Sequence, residues 1–201
     1  MTPLPGFSSR CPVTVHLRML LEDRLLMRNL EIRQIVLTGV MIALVAVFTL
    51  AIRVPFAPTR GYFNFSDVAV FLTGFAFGPW TGLVAGGVGT ALADLAGGYA
   101  IYAPLTFLAH GLEGFVAGAI VGRNRGVVRM VLGWAAGAAI MLAVYFLGEA
   151  YIFRMGVAPA ATEAATINLP QVVAGGIVSI PLVLALRRAY PPILDWGRPQ
   201  A

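Results

Sequence analysis

Apolar residues in this chain come in long blocks, and the polar residues between them mark where the chain turns. The clearest block, Gln34 to Ile52, holds no charged residue. As a helix it is about 28 Å long, enough to cross the hydrocarbon of a bilayer. Arg53 and Pro55 end it, and the stretch RVPFAPTRGYFNFSD, Arg53 to Asp67, predicts an ordered surface loop from its prolines, glycine and aromatics. A short apolar block, Val68 to Phe77, is interrupted by Gly78 and Pro79, and Pro79 suits the start of the next block, Trp80 to Leu95. Further blocks run from Pro104 to Val121, Val127 to Phe146 and Leu169 to Leu186. The pattern predicts an all-α, polytopic integral membrane protein with six transmembrane helices.

The second block is the weakest of the six, because about ten apolar residues are marginal for crossing and a re-entrant segment is the alternative. Charge decides in its favour. With connections assigned alternately to two sides, Arg10, Arg18, Arg24, Arg28, Arg33, Arg123, Arg125, Arg129, Arg187, Arg188 and Arg198 fall on one side, and only Arg53, Arg60 and Arg154 on the other. That asymmetry places both termini in the cytoplasm, and dropping the second span scatters it.

Composition agrees: of 201 residues 59% are hydrophobic and 11% charged, with a mean hydropathy of +0.84, which excludes an ordinary soluble domain. Six spans use the whole length, so the predicted organisation is a tail over 1–33, a transmembrane domain over 34–188 and a short cytoplasmic tail over 189–201. The first tail reads either as an interfacial helix over Leu17 to Leu30 or as an extension ahead of a true start at Met19 or Met27. It lacks the long apolar core of a signal peptide. The net charge of +5 comes entirely from Arg, with no Lys, which excludes a Walker A loop and a Schiff-base lysine and reads as topology rather than as a nucleic-acid surface. Cys11 is alone, so neither an internal disulfide nor a cysteine metal cluster is possible.

Small residues recur at helical spacing, Gly82 and Gly86, Gly114 and Gly118, Gly133 and Gly137, and most of these serve close packing within the bundle. Gly39 and Ala43 in the first span are candidates to face a partner instead. Ionisable groups inside apolar helices mark a cavity or pathway. Here they are His110 and Glu113, three apart and able to pair, with Asp94 and Glu149 at helix ends. Tyr62, Asn64, Asp67, Tyr99, Tyr102, Asn168 and Gln171 collect on the same, outer side. Asn168 also stands where a helix N-cap belongs. Neither GxSxG nor HExxH occurs, which disfavours an intramembrane hydrolase and leaves transport or assembly as the open classes.

The stretch Gly61 to Gly118 resembles the substrate-binding S components of energy-coupling factor (ECF) vitamin transporters. The nearest group includes riboflavin and hydroxymethylpyrimidine or pyridoxine S components. The likeness rests on FNFSD (Phe63 to Asp67), FGPW (Phe77 to Trp80), ALADLAGGYAIYAP (Ala91 to Pro104), HGLEG (His110 to Gly114) and NLPQVVAGG (Asn168 to Gly176). Position 110, often basic in similar sequences, is His here, and Gly39 stands where Ala is frequent.

The resemblance implies a non-enzymatic subunit in a prokaryotic inner (plasma) membrane that captures a planar vitamin from outside. It needs no cofactor or metal of its own. It also implies partners, a transmembrane coupling subunit and two ATPases, with Gly39 and Ala43 at the contact. The first outer loop, with Tyr62, Asn64 and Asp67, is expected to close over a pocket of Asp94, Tyr99, Tyr102, His110, Glu113, Glu149, Asn168 and Gln171. A solitary proton-coupled carrier and a structural subunit of another membrane complex are the alternatives.

Overall fold

The computed structural model describes residues 12–56, 61–122 and 126–192, with side chains from Ile32 onward. Arg10, Arg60, Arg123, Arg125 and Arg198 of the charge count, and the segment 1–11, lie outside the described residues. The first helix, α1, spans Pro12–Ala51 and passes residue 33 without a break. Its apolar part, Ile32–Ala51, is long enough to cross a membrane.

The stretch after α1 is more regular than a loop. Strands β1 (Val54–Phe56) and β2 (Gly61–Phe63) pair antiparallel, with Val54 opposite Phe63 and Pro55 opposite Tyr62. Branched and aromatic side chains favour extended backbone, and Pro55 is tolerated because a two-stranded ribbon consists of edges. Helix α2 (Ser66–Phe77) follows, and all twelve of its residues are buried. At about 18 Å it is shorter than the hydrocarbon is thick, so other helices rather than lipid surround it.

Gly78, at φ +95°, turns the chain from α2 into α3 (Pro79–Gly97) within one residue, a left-handed conformation that suits glycine. The two helices run antiparallel: a Cβ added at Gly82 would lie 3.0 Å from the Gly74 Cα, and one at Gly86 would lie 3.2 Å from Val70. Helix α4 (Ala103–Val121) packs antiparallel to α3, with Gly82 against Gly114 and Gly86 against His110. Helix α5 (Val127–Leu147) returns along α4, with Gly133 against Ala117 and Gly137 against Glu113. A π-helical turn, Gly148–Ile152, extends α5. Beyond it come α6 (Val157–Glu163), a second π-turn (Ala164–Asn168) and α7 (Leu169–Ala189).

Four helical runs are long and apolar enough to cross a membrane: Ile32–Ala51, Ala103–Val121, Val127–Ile152 and Val157–Ala189. Their outer faces carry exposed Ile35, Val40, Val128 and Ile177. Lipid is as apolar as the core, so helix association rests on close packing and interhelical hydrogen bonds. The bundle shows both. Phe71 and Phe75 stack at 5.6 Å, glycine backbones touch, and the Trp134 indole N–H donates to the Val172 carbonyl at 2.9 Å, joining α5 to α7.

Candidate functional site

Most of these elements meet at the end of the bundle that carries the β-ribbon, around a chamber. Helix α1 contributes Thr49 near its C-terminus, the ribbon and the residue after it Tyr62 and Asn64, and the last turn of α3 Asp94. The start of α4 supplies Tyr102, Thr106 and His110 on one face, and the end of α5 supplies Tyr145. Glu163, Asn168 and Gln171 come from α6, the second π-turn and α7. The chamber has about 380 Å³ of empty space including its mouth, of which about 30 Å³ is open to the centres of water molecules. A few waters fit that inner space.

The ribbon forms the roof. Tyr62 donates its hydroxyl proton to Asp94 Oδ1 at 2.5 Å, and its ring meets that of Tyr99 at 4.4 Å. Burial, reinforced by the Asp94 carboxylate, pushes the Tyr62 phenol well above its usual range, so it remains a donor at neutral pH. The Arg53 guanidinium lies 5.7 Å from the centre of the same ring and donates to the Gly97 carbonyl at 3.3 Å. At the base of the roof the Asn64 amide N–H donates to Gln171 Oε1 at 2.9 Å, and Asn64 Oδ1 accepts the Ser66 N–H at 2.7 Å. One residue therefore fixes the start of α2 and ties it to α7.

The floor is ionisable. His110 Nδ1 lies 2.7 Å from Glu113 Oε2 and 3.1 Å from Asp67 Oδ1, with all three side chains excluded from solvent. These three are also close enough to share a metal ion, their ligand atoms all within 4.8 Å of one another. The two contacts to Nδ1 are ordinary hydrogen-bond distances, which suits a proton held between nitrogen and carboxylate. Tyr145 donates to Thr106 Oγ1 at 3.1 Å and sets its ring edge-on to His110 at 5.7 Å.

Of the residues singled out in the sequence, Tyr62, Asn64, Asp94, Tyr102, His110, Asn168 and Gln171 line the chamber. Asp67 and Glu113 bind the far side of His110, and Tyr99 backs Tyr62. Glu149 is fully buried beside the chamber, near enough to Glu163 for the two charges to oppose each other. Asn168 is not an N-cap: its backbone is helical, with no capping bond from its side chain, because the helix already runs through it from the second π-turn. Gly39 and Ala43 are remote from the chamber, on the exposed face of α1, and a Cβ on Gly39 would meet nothing within 4 Å.

Thr49, Thr106, Tyr145 and Glu163 were missed. Thr106 and Tyr145 each stand four residues before a noted ionisable group, His110 and Glu149, and so share its helix face. Nothing comparable signals Glu163, which lies among alanines in a connection. Extra-wide π-turns re-aim side chains and recur at functional sites. Here they carry Glu149 and Asn168 inward.

Residues 29–188 match the family model described as ECF-type riboflavin transporter, S component. The chain belongs to this S-component family. A relative from Pyrococcus woesei, described as an uncharacterized protein in the gap 3′ region, is 34% identical over 152 residues, covering 75% of this chain and 99% of its own. Membership makes the chain a membrane transport component rather than an enzyme.

Proposed function

We propose that this S component is the substrate-capture subunit of an ECF vitamin importer. It binds a small planar heterocycle, a riboflavin or a pyridoxine or pyrimidine type, from the outer face of a prokaryotic plasma membrane. The observation that carries the reading is the chamber, where aromatic rings and buried polar groups converge on a space closed by the β-ribbon. Tyr62 and Asn64 belong to the roof and its base, and Asp67 to the floor beside His110. Asp94, Tyr102, His110, Asn168 and Gln171 face the ligand, while Tyr99, Glu113 and Glu149 support them. A ligand lacking one matching polar group leaves a buried partner unsatisfied, which is how such a site discriminates.

In this reading the six helices α1 to α5 and α7 alternate across the membrane with both ends in the cytoplasm, as their antiparallel packing and the Arg asymmetry support. Residues 34–188 form the transmembrane unit, flanked by cytoplasmic tails. At the end opposite the chamber, Gly39, Ile35 and Ile42 of α1 and the exposed Trp80 of α3 border an apolar groove. There the transmembrane coupling subunit docks, with two ATPases behind it supplying the energy. The test is to purify the chain, release any bound small molecule by heating and identify it by mass spectrometry, then titrate it back. Recovery of no heterocycle, and no binding from a vitamin panel, refutes the assignment.

A proton-coupled carrier acting alone is the second reading, favoured by the imidazole between two carboxylates. It requires uptake by this chain alone in liposomes, driven by a proton gradient and lost in Glu113→Gln.

A further inference from the structure

One proton cannot satisfy everything that meets at the chamber floor. Asp67 on α2 and His110 and Glu113 on α4 are all excluded from solvent. The hydrogen bond between His110 Nδ1 and Glu113 Oε2, at 2.7 Å, engages one of their four carboxylate oxygens. Glu113 Oε1 and both oxygens of Asp67 have no hydrogen-bond partner, although Nδ1 stands 3.1 Å from Asp67 Oδ1. A buried carboxylate left without a donor is costly.

Two ionised carboxylates and a neutral imidazole are balanced in charge by one divalent cation, and burial favours a site with no net charge. The donor atoms suit such an ion. One nitrogen and two oxygens, one from each residue, lie within 4.8 Å of one another. Tetrahedral bonds of about 2.0–2.2 Å to zinc place neighbouring donors roughly 3.3 Å apart. The 2.7 Å and 3.1 Å separations from Nδ1 therefore need to widen by well under an ångström. An imidazole donor argues against magnesium and calcium, which take oxygen, and a set without thiolate argues against copper(I). Three protein donors leave a fourth position for water. The chamber reaches His110, so an ion entering by its mouth comes within one ring of the site.

We propose that Asp67, His110 and Glu113 bind one divalent transition-metal ion of the zinc type, which clamps α2 to α4 beneath the chamber. The ion takes the place of the proton on His110 Nδ1, and that proton leaves to bulk water. Asp67, which only the packing of α2 on α4 brings to this point, becomes a ligand in its own right. The proposal does not depend on which solute the chamber takes, so its failure leaves substrate capture standing.

The test uses the full chain in detergent, freed of any affinity tag, stripped with a chelator and titrated with Zn2+ by calorimetry. Mg2+ is the oxygen-preferring control, and Co2+ is a coloured substitute whose visible absorption reports its donors. The parent chain is expected to bind one Zn2+, at least about a hundredfold tighter than Mg2+, and to unfold at a higher temperature when loaded. Asp67→Asn and Glu113→Gln should each weaken Zn2+ binding by about tenfold or more, and His110→Gln should abolish the Co2+ absorption. One folded variant of the three suffices. Cys11→Ser combined with His16→Gln, which removes the other cysteine and histidine donors of the chain, should change nothing. Absence of Zn2+ binding by the parent chain overturns the proposal, as does an affinity no better than that for Mg2+. Zn2+ binding that persists at full strength in a folded floor variant, or that disappears with Cys11 and His16, marks an adventitious ion only and also overturns it.

Discussion

At the scale of single residues, His110 carries the most. It is hydrogen-bonded to one buried carboxylate, Glu113, and lies within ion-pair distance of a second, Asp67, so removing it leaves both without that neighbour in a low-dielectric setting. His110→Ala is expected to cost about 3–5 kcal/mol of stability, read as a large fall in thermal unfolding temperature in detergent. An unchanged midpoint refutes the pairing. Tyr62 acts on binding instead: Tyr62→Phe keeps the ring but loses the bond to Asp94, and ligand affinity should fall about tenfold by calorimetry. A variant that binds as the parent does would show that the roof closes without that bond. The pairing of His110 with Glu113 was legible because three residues on a helix share a face. Asp67 as a third member was not, since it stands 43 residues earlier and only the parallel packing of α2 on α4 brings it in. Local sequence sees one helix at a time.

At the scale of elements, glycine and proline gave most of the boundaries, Gly78 with Pro79 above all. The ribbon after α1 and the two π-turns were illegible. A three-residue strand has too few positions to show a period, and a π-turn is chosen by what its neighbours must bury. The crossing of α3 and α4 at Gly82 and Gly114 is a tight constraint in which each backbone faces the other. A side chain on Gly114 would press its Cβ to 2.6 Å from the Gly82 carbonyl oxygen. Backbone cannot yield there as a flexible side chain would. Gly114→Val should therefore force the helices apart and destabilise by roughly 3 kcal/mol, at the upper end of overpacking costs, with loss of monodisperse protein on size exclusion. Gly39→Val, on an open face, is the control.

At the scale of the whole molecule, hydropathy made the membrane and the all-α class plain. The depth of burial of α2 was hidden, because an apolar helix in lipid and one in a core read alike. Two ends of the bundle have different chemistry, polar and roofed at the ribbon, apolar and open at the groove. Separate ends predict separable defects. Gly39→Trp fills the groove with nothing nearby to displace, so it should abolish co-purification with the coupling subunit while calorimetric ligand affinity stays within about twofold. Loss of both together would mean that the groove is part of the chamber's support. Yet α1 is common to the two ends: Thr49 faces the chamber, and Gly39, ten residues earlier, faces the groove, about 15 Å away along one rigid rod. Linkage then makes an obligation of geometry. If an occupied chamber shifts α1 and loosens or tightens the partner's grip by some factor, the partner must alter the chamber's affinity by the same factor, and each of the two equilibria, measured alone, foretells the other.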